Sequence, residues 1–166
     1  MAARRVVPEV SVVRVLHLDA GAAWDLLVDA RNHARWIPLT RVDTSNGPPR
    51  LGTRITAVSG PFARRGGRGV VDRMDIDRLD PPVGEAPGIA VFTKRGPVLA
   101  GEARIDVAYA GPGRALVTWS ERVHLVGPFA VLTGSVLAPV LRLMVASALT
   151  RASREVDDAT HRRRAR

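Results

Sequence analysis

Apolar and polar residues alternate in short runs over most of this chain, and past Pro128 the alternation gives way to a helical period. Alternation places successive side chains on opposite faces of a strand, whereas repeats at three and four residues line one face of a helix. The pattern predicts a strand over 10–18, VSVVRVLHL, and a short helix in AGAAWDLLVDA behind Asp19 as its cap. In that helix Ala23, Leu26, Leu27 and Ala30 share a face. A second helical turn near NHARW stops at Pro38, since the residue before a proline avoids helix. Turn chemistry fills SNGPPRLG. Strands are then expected over 51–58, 69–79, 88–94, 101–109 and 114–125. Ala103, Ile105, Val107 and Tyr109 share one face, and Val117, Trp119, Val123 and Leu125 share another. AGPG at 110–113 joins the last two strands as a hairpin.

The closing stripe runs through Leu137, Leu141, Met144, Ala148, Ala152 and Val156, widened by Val140 and Leu149. Pro139 should split this region into a short helix at 129–137 and a long one from 139 to 161. The uncharged run from Leu125 to Leu141 reaches the short edge of a membrane span, but it is broken by Gly127, Pro128, Gly134 and Pro139. An amphipathic helix lying on a core is the expected reading. One helix cannot fill the concave face of a twisted sheet, so a pocket is expected between them.

Length and composition narrow the class. A chain of 166 residues with 46% hydrophobic content is expected to form one domain over 1–166, with basic tails at 1–8 and 160–166. The absence of cysteine removes disulfides, thiolate catalysis and cysteine-bound metals. It fits a reducing cytoplasm, and the N-terminus lacks the apolar core of a secretory signal. The net charge of +9 suggests a polyanion at first sight. Yet Lys94 is the only lysine and there is no glutamine. That composition fits the codon bias of a GC-rich genome better than selection for nucleic acid. A basic surface of Arg64, Arg65, Arg68 and the C-terminal arginines, meeting nucleic acid or anionic membrane, is the least favoured reading.

Candidate chemistry is sparse. Glu121 shares the inward face of Trp119 and Val123, where an unpaired carboxylate would have a raised pKa and could orient a ligand or move a proton. Alternatively it sits at a rim or pairs with an arginine such as Arg73 or Arg104. Asp72 shares a face with Val70, Met74 and Ile76. No histidine or carboxylate spacing matches a metal-ligand pair, and neither Ser59 nor Ser135 sits in a nucleophile motif. The GGRG turn at 66–69, with Arg64, Arg65 and Arg68, is either a plain mobile loop or a cationic lip.

Two stretches resemble a known family. In VLHLDAGAAWDLLVDARNHARWIP, the positions of Leu18, Asp19, Ala20, Trp24, Leu27, Asp29, Trp36 and Pro38 match the opening of the START-related (SRPBCC) superfamily, which includes polyketide cyclase/dehydrase-like proteins. Gly21 stands where that family often has proline. Trp119 and Glu121 occupy its frequent W-x-E positions in the late hairpin. The resemblance spans about residues 10–156 and implies an α+β helix-grip fold: a curved antiparallel sheet wrapped around a long C-terminal helix, with two short helices after the first strand. It implies binding of a small hydrophobic ligand, such as a lipid or polyketide, between sheet and helix. The sheet would supply Ile55, Met74, Phe92, Ile105, Tyr109, Trp119 and Glu121, and the helix Leu137, Leu141 and Met144. A carrier or sensor needs no cofactor and no metal. The alternative is an aromatase/cyclase or dehydratase using Glu121 as its inward carboxylate, the weak catalytic candidate. Transient contact with a membrane surface stays open.

Overall fold

The computed structural model describes Val7 and residues 9–165. Apart from Val7, the expected basic tail at 1–8 lies outside the described residues. Seven strands form one antiparallel sheet: β1 (Val10–Leu16), β2 (Thr40–Thr44), β3 (Arg54–Ser59), β4 (Val70–Asp80), β5 (Gly88–Pro97), β6 (Leu99–Tyr109) and β7 (Ala115–Leu125). Their spatial order is β1-β7-β6-β5-β4-β3-β2. Each strand from β2 to β7 pairs with its sequence neighbour, and β1 closes the far edge against β7. Two irregularities interrupt the β4–β5 register, between Asp72 and Met74 and between Ile76 and Arg78. Such bulges bend a strand and raise its twist, which helps the sheet curl. Gly101 pairs with Lys94 at φ +128°, and a Cβ there would lie 2.2 Å from the Arg122 carbonyl oxygen. Only glycine fits that approach.

Between β1 and β2 lie α1 (Ala20–Val28) and α2 (Ala30–Trp36). Asp29 ends the first and caps the second, accepting from Arg31 N at 3.0 Å. Ala23, Trp24, Leu27 and Val28 are the buried face of α1. After β7 the chain passes through a 3-10 segment, Gly127–Leu132, and one π turn, Thr133–Leu137, before α3 (Ala138–Arg164). Pro139 lies in the first turn of α3, where its missing donor costs nothing. The expected short helix is a 3-10 segment and a π turn rather than α, and it runs into α3 without a break, since Leu137 and Ala138 are both helical. The expected C-terminal tail from 160 is, through Arg164, the last turns of α3.

Several elements depart from the sequence reading, β3 starting at Arg54 rather than at 51 and β6 at Leu99 rather than at 101. β2 was not predicted, because TRVDT is five residues long with a single apolar side chain. β5 runs on to Pro97, three residues beyond the expected end at Lys94.

The core lies between the concave face of the sheet and the helices. Leu141, Val145, Ala148, Leu149, Ala152 and Val156 are the buried face of α3. By length and composition Ser135–Arg163 could cross a membrane, but here that face packs against the sheet. Polar ties fix α2 to α3. Trp36 Nε1 donates to Glu155 Oε2 at 2.9 Å, and the Arg35 guanidinium meets Glu155 Oε1 at 2.7 Å. Two residues further along α3, Asp157 Oδ1 lies 2.8 Å from His17 Nδ1.

Candidate functional site

A cavity of about 420 Å3 opens where the first half of α3 stands off from the curled sheet. Its sheet wall includes Ile55, Met74, Phe92, Ile105 and Trp119, with Glu121 beside them. Leu137, Leu141 and Met144 form the helix wall. The structure therefore brings nine of the ten sequence-predicted residues to one cavity. Tyr109 is the exception. It has the inward parity of Ile105 and Val107, but it sits at the last position of β6 with half its surface exposed. The strand outruns the layer that covers it, so parity alone placed it wrongly. At the helical end Leu132, Val136 and Val140 line the cavity and are exposed, which gives it an apolar rim.

One wall is charged. In β5 the residues Gly88, Ala90, Phe92, Lys94 and Gly96 are all buried, and the fourth of them is the chain's one lysine. Lys94 Nζ donates to Asp72 Oδ2 at 2.5 Å and lies 3.8 Å from Glu121 Oε2. Trp119 Nε1 donates to Glu121 Oε1 at 3.1 Å. The carboxylates come from β4 and β7, on either side of β5 and β6, so the sheet's curl converges three strands on one point. Burial opposes the Lys94 charge, but the Glu121 and Asp72 carboxylates outweigh it and hold the ammonium above the usual lysine range. Burial also dominates at Glu121 and raises its pKa against the opposing pull of Lys94 and the Trp119 hydrogen bond. The pairing of Glu121 with Arg73 or Arg104 does not occur. Arg73 is exposed, and Arg104 forks onto Asp106 on the outer face.

His33 reaches the cavity from α2. Its Nε2 lies 2.7 Å from the Leu27 carbonyl oxygen, which can only accept, so Nε2 carries the proton and Nδ1 keeps a lone pair. The ring packs 4.8 Å from Trp119 and 5.8 Å from Trp36, centroid to centroid. Burial lowers its pKa to about 4, more than the Leu27 hydrogen bond raises it. The imidazole is neutral at pH 7. Sequence reasoning missed both His33 and Lys94. Lys94 had a legible signal in its alternation with Phe92; His33, on a seven-residue helix, had none.

The cationic lip is also corrected at one position. Arg64 Nη2 donates to the Ala34 carbonyl at 2.6 Å, fastening its loop to α2. Phe62 is exposed beside it and does not line the cavity. Many other arginines are engaged locally: Arg31 with Asp29, Arg78 with Asp80, Arg95 with Asp75 and Asp77, Arg122 with Glu9. Among the described residues no group of three histidine or carboxylate side chains is placed to hold a metal.

A curled seven-stranded sheet gripping a long C-terminal helix, with two short helices after β1, is the helix-grip fold of START-related proteins. Solved structures bear this out. A START superfamily protein from Mycobacterium smegmatis superposes with a TM-score of 0.58 over 91% of this chain and 98% of its own, at 14% identity. The Zhui aromatase/cyclase from a Streptomyces species gives 0.62 over 94% of each chain at 13% identity. A hypothetical protein from Helicobacter pylori gives 0.69 over 93% and 91% at 13% identity. No family model matches the sequence, and no curated protein matches it. The likeness is therefore one of fold, and function must be argued from the site.

Proposed function

We propose that this protein is a carrier or sensor that binds a small, largely apolar ligand in the cavity between sheet and α3. The observation that carries the reading is the cavity itself: about 420 Å3 of space, walled mainly by apolar side chains, with one buried charged cluster. That volume lies within the range of small-molecule sites, which join an apolar wall to a few placed polar groups. Burying about 250 Å2 of apolar ligand surface would contribute about 6 kcal/mol before the costs of binding. The exposed apolar rim supports the same reading, since an apolar ligand arriving from a lipid surface meets no polar barrier there.

Native mass spectrometry of freshly purified protein should show a retained non-covalent mass, or should show one after incubation with an apolar probe. Ala57 lines the cavity. An Ala57→Trp variant, filling that space, should bind the same probe about tenfold or more weakly. Equal retention by the variant, or no apolar molecule held by either protein, would sink the proposal.

The buried cluster supports a second reading, a cyclase or dehydratase. Glu121 is buried against the cavity with a raised pKa, and His33 offers a neutral nitrogen on the same cavity. A carboxyl group in that state could protonate or deprotonate a bound carbonyl chain. Glu121→Gln should then remove turnover of a polyketide substrate while leaving its binding intact. Turnover at the wild-type rate would take Glu121 out of any mechanism.

A further inference from the structure

The charged wall of the cavity has hydrogen-bonding capacity that no described protein group fills. Asp72 Oδ1 and Glu121 Oε2 are both buried without a partner. Glu121 is only 2% exposed, and Trp119 holds its other oxygen, which leaves Oε2 as the free acceptor. Lys94 has three N–H groups, one of which goes to Asp72. Its 3.8 Å separation from Glu121 is an ion-pair distance, too long for a hydrogen bond. Unused donors and unused acceptors thus sit side by side on one wall. Buried polar groups are nearly always paired, and leaving one unpaired is costly.

We propose, resting on the ligand-binding reading above, that the ligand is an apolar alcohol or phenol whose hydroxyl is buried among Lys94, Asp72 and Glu121. A hydroxyl is the small group that donates and accepts at once. It would donate to Asp72 Oδ1 or Glu121 Oε2 and accept from Lys94 Nζ. Other end groups fit worse. A carboxylate, as on a fatty acid, would add a third acid to a cluster with one cation and would bring no donor. A ligand ammonium would supply donors but would meet the Lys94 charge. A bare hydrocarbon would leave the same atoms unpaired.

Three probes of one shape separate these cases by isothermal titration calorimetry at pH 7.5: 2-naphthol, 2-naphthoate and 2-methylnaphthalene. The naphthol should bind about tenfold or more tightly than either of the others. In a Lys94→Met, Asp72→Leu, Glu121→Leu triple variant, shown by circular dichroism to be folded, that preference should shrink to about twofold or less. Equal binding of all three by the wild type, or a preference for the naphthoate, overturns the hydroxyl assignment and leaves the apolar cavity standing. A naphthol preference unchanged in the triple variant also overturns it. Binding of none of the three counts against the ligand-binding reading itself, and the assignment falls with it.

Discussion

Lys94→Met is expected to lower folding stability by about 3–5 kcal/mol at pH 7. Methionine matches the length of the lysine stem, so packing changes little. What is lost is the cation between the buried Glu121 carboxylate and the partly buried Asp72 carboxylate. Asp72 and Glu121 would then face each other across the gap without compensation, and uncompensated buried charge is among the few causes of losses this large. Removing the acids as well should reverse the effect. A triple variant with Asp72→Leu and Glu121→Leu should return to within about 1–2 kcal/mol of wild type, because an apolar replacement of a buried ion cluster is often neutral. Urea denaturation measures both, with the slope checked for constancy. The pH dependence adds a second mark. The fold raises the Glu121 pKa, so its contribution is complete below the ordinary carboxylate value and fades as pH rises through the folded one. The deficit of Lys94→Met should therefore shrink on acidification. A single-variant loss below about 1 kcal/mol would mean that the cluster is solvated and that its charges do not constrain the cavity.

The same cluster shows how far the sequence can be read. Period-two alternation is a strict geometric rule, and it carried most of the cavity: Ile105 and Trp119 face inward because their strands allow one buried face only. Glu121 followed from that parity. Lys94 obeys the identical rule two residues after Phe92, yet a lysine at a strand end reads as solvated until the strand is known to continue to Pro97. Charge argued against the position that parity assigned. Tyr109 failed in the opposite way, with the right face but no layer above it. The partnership of Asp72 with Lys94 was invisible for another reason. Sequence gives the face of each residue on β4 and β5, but their pairing shifts register twice. Only the curled sheet decides which inward groups meet. The fold resemblance implied a cavity between sheet and helix, and parity put Glu121 on its wall; Lys94 and its pairing with both acids emerged only from the structure.

His33→Gln is expected to change the acid side of the stability curve and leave the alkaline side alone. The folded protein holds His33 neutral down to about pH 4, while an unfolded histidine takes a proton near 6.5. Between those values the unfolded chain binds more protons, so stability falls as pH falls. Each pH unit of that window is worth about 1.4 kcal/mol, giving at most about 3 kcal/mol across it for this half-buried ring. Glutamine has no such titration and can still donate to the Leu27 carbonyl. Three neighbouring acids complicate the wild-type curve. Glu121 works in the opposite direction, whereas Asp29 and Glu155 have lowered pKa values and add to acid sensitivity. The informative quantity is therefore the difference between the variant and wild type. That difference should be flat above pH 7 and should move in favour of the variant from pH 6.5 towards 4. Parallel curves would show that the imidazole gains its proton as easily in the fold as in water. In that case its ring could not lie packed against Trp119 out of reach of solvent.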